Sequence, residues 1–74
     1  MTSIEATVAK IISEKREALG ITRQELAKQL GVSHGQPYCW ETGRALPGAW
    51  SLCLLADEFN CTVDELLGRG GKDG

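Results

Sequence analysis

The sequence predicts an all-α fold, a compact bundle of five short helices. Apolar residues recur at helical spacing, at Ile4, Val8, Ile11, Ile12 and Leu19 and again along residues 49–59, which sets apolar stripes on helix faces. Three boxes of the form Ser/Thr-x-x-Glu/Gln, at Thr22–Glu25, Ser33–Gln36 and Thr62–Glu65, mark helix starts. In such a box the hydroxyl accepts from the backbone N–H three residues on, while the acid or amide reaches back to the cap. No strand alternation, internal repeat or linker between domains appears, and 74 residues allow one domain that buries only about 60% of its unfolded surface.

The elements follow in order. The first helix is expected from about Ser3 to Leu19, closed by Gly20. Thr22 caps a second that runs to Leu30, Gly31 takes the left-handed conformation that ends it, and Val32 turns inward before Ser33 caps the third. That third segment, through Trp40, is the weak one. Gly35 costs about 1 kcal/mol against alanine, and Pro37 removes an N–H whose partner would be the Ser33 carbonyl. A distorted or shortened helix is expected there, and Pro37→Ile is expected to stabilise it. Thr42 to Pro47 reads as a loop with a turn glycine, and Gly48 to Phe59 as a fourth helix, hydrophobic almost all round. Its core face is expected at Leu52, Leu55, Ala56 and Phe59, leaving Trp50 and Leu54 as an outward i, i+4 pair and candidate partner surface. Asn60 breaks it, and Thr62 caps a short fifth helix ending at Leu66-Leu67. Residues 1–67 form the domain and 68–74 a flexible tail.

Composition narrows the function. Net charge is −2, but Lys10, Lys15, Arg16, Arg23, Lys28 and Arg44 outnumber Glu14, Glu17, Glu25 and Glu41 in residues 10–44, while the remainder is acidic. A mildly basic half is compatible with a polyanion partner. Cys39, Cys53 and Cys61 are odd in number with no C-x-x-C spacing, the pattern of reduced, intracellular thiols. Glu5, Glu14 and Glu17 interrupt the early apolar residues, so neither a secretory leader nor a membrane span is expected, and the chain reads as cytoplasmic. No cofactor or metal is expected, because structural zinc sites show close ligand pairs. No catalytic pair stands out either: His34 and Cys39, five residues apart, would lie about 140° out of register on a helix. Trp40 reads as core and Glu41 as structural.

The run from Leu19 to Ser33 (LGITRQELAKQLGVS), then Trp40-Glu41-x-Gly43-Arg44-x-x-Pro47, Leu52-x-x-Leu55-Ala56 and Val63-Asp64-Glu65-Leu66-Leu67 resembles the xenobiotic-response-element class of helix-turn-helix regulators, the lambda-repressor-like Cro/C1 type. The resemblance spans about Ile11 to Leu67. It implies a five-helix bundle and sequence-specific binding of double-stranded DNA for transcription regulation, commonly as a homodimer, with the helix after the elbow in the major groove. By the same resemblance, Ser33 opens the reading helix, His34, Gly35 and Cys39 take base-reading positions with Gln36 and Tyr38 close by for base or phosphate contact, Arg23 and Arg44 take phosphate positions, and Gln24 counts among the DNA-binding residues. The chain departs from the family pattern at Pro37, where a buried Ile or Val is usual, and at Gly35 and Cys39, which replace polar or basic readers. Those departures leave a second reading open, a protein-interaction module built on the same bundle.

Overall fold

The computed structural model describes residues 3–69. Five α-helices follow one another: α1 (Ile4–Leu19), α2 (Arg23–Leu30), α3 (Gly35–Glu41), α4 (Ala49–Phe59) and α5 (Val63–Leu66). Helix α1 packs on α3 and α5, α2 on α3 and α4, and α4 on α5. The single core is built from Val8 and Ile12 of α1, Leu26 and Leu30 of α2, Trp40 of α3, Leu55 and Ala56 of α4 and Leu66 of α5.

The expected caps at Thr22 and Thr62 form. Each threonine hydroxyl accepts from the glutamate N–H three residues on at 3.0 Å, and each glutamate accepts from the threonine N–H at 2.8 and 2.9 Å. Helix ends obey one rule throughout. The described residues with positive φ are Gly20, Gly31, Gly43, Asn60 and Gly68, one after each helix, and in every case the next residue's N–H returns to a carbonyl five positions back, as Val32 does to Ala27 at 3.0 Å and Cys61 to Ala56 at 2.9 Å. This is the Schellman ending, which satisfies carbonyls that the helix itself leaves unpaired.

Several expectations need correction. The Ser33–Gln36 box does not form: α3 begins at Gly35, its cap residue is His34, and no side chain caps it. The Ser33 carbonyl accepts instead from the Gln36 N–H at 3.1 Å. With the helix starting there, Pro37 is its third residue, where a backbone N–H has no intrahelical partner anyway. The helix is shortened at its start, but Pro37 removes no bond from it, and its ring is fully buried. Pro37→Ile therefore has no hydrogen bond to restore, and the expected stabilisation lapses. At the two ends of the α1 stripe, Ile4 and Leu19 are exposed, because the helix outreaches the elements that cover it. In α4, Leu54 is half-buried and packed against the core, so it does not join Trp50 on the outside. A helix apolar all round offers no periodicity from which to choose its inner face.

Of the expected tail, Gly68 and Arg69 close α5, with Arg69 N–H on the Asp64 carbonyl at 2.8 Å; residues 70–74 lie outside the described residues. Gly68 has φ +78°, and a Cβ added to it would stand 2.7 Å from Thr7 Cγ2 on α1. Gly68→Ala is expected to cost about 1–3 kcal/mol, from left-handed strain and this clash together. Urea unfolding of the two chains measures it.

Candidate nucleic-acid interface

The elbow between α2 and α3 leaves one face of α3 open. His34, Gly35, Gln36 and Tyr38 are exposed and Cys39 is half-buried, while Pro37 and Trp40 point inward. Ser33, Gly35, Gln36 and Cys39 line an open groove with Trp40, Ala45 and Leu46, where α3 meets the following loop. That loop is fixed at its root. Gly43, at φ +78°, turns the chain back so that the Arg44 N–H donates to the Cys39 carbonyl at 3.0 Å, and the Thr42 hydroxyl donates to the Tyr38 carbonyl at 2.8 Å. Arg44 is thereby held beside Tyr38.

Beneath this face lies a charge network that sequence reasoning reached only as a structural Glu41. The Glu41 side chain is fully buried. Its Oε2 accepts from Arg16 Nε at 2.7 Å, and its Oε1 from Arg16 Nη2 at 3.1 Å, Arg23 Nε at 3.0 Å and Ser13 Oγ at 3.0 Å. Arg16 also donates through Nη1 to the Ile21 carbonyl at 2.8 Å, tying the turn between α1 and α2 to the same carboxylate. Burial pushes the Glu41 carboxyl up, but hydrogen bonds from Arg16, Arg23 and Ser13 and the Arg16 charge outweigh it and hold it below its ordinary value. The same contacts raise Arg16 further, against its own desolvation. Arg16 and Ser13 were not singled out from the sequence. They lie 25 and 28 positions from Glu41, and no local pattern reports such a pairing.

Of the residues expected to meet DNA, the fold brings three together. Arg23 begins α2, and both its guanidinium carbon and that of Arg44 lie over the Tyr38 ring, 5.3 and 5.9 Å from the centroid, within cation–π range. Arg23 is partly committed, since its Nε serves Glu41. Gln24, next along α2, and Ser33, in the elbow, are exposed. Trp50, in the first turn of α4, is 73% exposed. The cysteines are free: Cys39 and Cys61 half-buried, Cys53 exposed. Burial pushes the Cys61 thiol up, with Glu65 adding to it against Lys15.

Comparison with known proteins places this arrangement. Residues 12–66 match the family model described as Helix-turn-helix. The chain is 31% identical over 62 residues to the cryptic phage CTXphi transcriptional repressor RstR of Vibrio cholerae, covering 84% of this chain and 55% of that protein. It is 36% identical over 56 residues to the transcriptional activator BcrR of Enterococcus faecalis, covering 76% and 28%, and 36% identical over 58 residues to the transcriptional regulator AnsR of Bacillus subtilis, covering 78% and 50%. The chain thus spans about half or less of the length of these relatives. No solved structure matches it significantly. The matched residues contain the elbow, α3 and the Glu41 network whole, and the chain belongs to the Cro/C1-type helix-turn-helix family.

Proposed function

We propose that the chain is a sequence-specific, DNA-binding transcriptional regulator that lays the open face of α3 in the major groove. The observation that carries this reading is the sorting of charge around α3. Its one carboxylate, Glu41, is turned inward and neutralised, so the outward side carries His34, Gln36 and Tyr38 flanked by Arg23 and Arg44 and no acid. Such a surface accepts phosphates on its rim and offers hydrogen-bonding side chains to base edges between them. Arg23, Gln24 and Arg44 are assigned to phosphates, Ser33, His34, Gly35, Gln36 and Cys39 to the groove, and Tyr38 to its rim, between Arg23 and Arg44. Assignment to the xenobiotic-response-element class is part of the same proposal and is argued from the motifs between Leu19 and Leu67. The relatives are regulators, which favours a binding role over an enzymatic one, carried out in the cytoplasm. No helix among the described residues is long and apolar enough to cross a membrane. The exposed Trp50 supports a homodimer, since an outward indole is a frequent interface anchor; Leu54 contributes at most its outer edge.

Salt dependence tests the proposal. Binding to duplex DNA is expected to weaken with rising salt at a log–log slope of several units. Arg44→Ala is expected to reduce that slope by about one with the fold intact, because among the described residues the Arg44 guanidinium makes no ion pair or hydrogen bond. Arg23→Ala is a poorer probe, since it also strips a donor from Glu41. A folded chain with no affinity for duplex at low salt would leave the protein-interaction module as the better reading.

A further inference from the structure

We infer that Tyr38 is a positioning residue, whose ring holds Arg23 and Arg44 side by side as a two-cation clasp for adjacent phosphates of one DNA strand; this deepens the DNA-binding reading and rests on it. Three observations converge. Both guanidinium carbons lie over the same ring, so they are at most about 11 Å apart, the two centroid distances added, close enough to meet neighbouring phosphates of one strand. Tyr38 is 44% exposed and lies outside the core cluster. Arg44 has no other side-chain partner among the described residues, so without the ring its long side chain would be free to sample many rotamers. Arg23 is already anchored at its Nε by Glu41, and among the described residues its terminal nitrogens make no hydrogen bond or ion pair. The backbone return at Gly43 brings Arg44 to the ring, and the ring aligns what the backbone delivers.

This arrangement differs from direct contact by Tyr38, and the difference is measurable. On mixed-sequence duplex DNA at low salt, Tyr38→Leu in the full chain is expected to weaken binding about tenfold and to lower the salt slope by about one, with the fold intact. Tyr38→Phe, which keeps the ring face, is expected to stay within about twofold of the unaltered chain. In an Arg44→Ala background, Tyr38→Leu is expected to cost about threefold or less, because one of the two cations it positions is gone. Equal losses from Leu and Phe would assign the effect to the hydroxyl and overturn the inference. So would equal losses from Tyr38→Leu with and without Arg44, which would mean that the ring itself touches DNA, and so would a Tyr38→Leu chain that binds normally. An unaltered chain that binds no duplex overturns the DNA reading together with the clasp.

Discussion

Glu41→Gln is expected to lower the unfolding free energy by about 3–5 kcal/mol, the range for breaking a buried ion pair from one side. The substitution keeps the shape but turns one oxygen into an N–H₂ group. Both Glu41 oxygens accept from guanidinium nitrogens, so either orientation of the amide sets donor against donor, and the largely buried Arg16 loses its countercharge. A domain of this length has a total stability of about 4–11 kcal/mol, at roughly 0.05–0.15 kcal/mol per residue, so the loss is a large share of the whole. In a thermal melt it is expected to appear as a fall of more than about 10 °C.

The same group sets an acid limb. Because the folded Glu41 carboxyl is held below its ordinary value, the stabilisation is fully present above the unfolded pKa of about 4.3 and is lost as pH falls from there through the lower folded value. Glu41→Gln is therefore expected to lose less of its remaining stability on acidification than the unaltered chain, in unfolding curves taken across that window. Parallel acid limbs in the two chains would show that Glu41 is not the titrating group.

Trp40→Ala is expected to cost about 3–5 kcal/mol, the range for large aromatic truncations in a core. The indole is 2% exposed, and it and Pro37 are the buried residues of α3. Truncating it leaves α3 attached to the bundle chiefly by the Pro37 ring and the Glu41 network, so the helix that carries the candidate interface is expected to loosen before the remainder unfolds. Amide hydrogen exchange reads this directly, as lost protection concentrated in residues 35–41. Trp50→Ala is the matched control, because that indole is already 73% exposed and lies outside α3, so its removal is expected to leave the protection of residues 35–41 unchanged.

What could be read from the sequence was local. Thr22, Thr62, Gly20, Gly31 and Asn60 act within a few residues of themselves, through hydrogen bonds that depend only on spacing, and the helices stop and start where those residues stand. The Ser33 box satisfied the same spacing and still failed to form. Starting the helix at Gly35 places the Pro37 ring in the first turn, where its missing N–H costs nothing, and that preference outweighs a cap. The face of α4 was not legible, since Leu52, Leu54, Leu55 and Phe59 all touch the core. Least legible was the site's foundation. Arg16, Arg23, Ser13 and Glu41 are brought to one point by the packing of α1 and α2 on α3, and their pairing is a property of that packing and not of any motif. The same holds for the meeting of Arg23 and Arg44 on Tyr38.

Selection of binding sites from a pool of random duplexes tests the central claim most directly. The charge sorting around α3 predicts that the folded chain enriches one short base-pair pattern, that Gln36→Ala or His34→Ala weakens or relaxes particular positions of that pattern, and that Arg44→Ala weakens binding to all sequences alike. A folded chain that retains no duplex at low salt, or retains every sequence equally, would contradict the assignment of α3 as a base-reading helix.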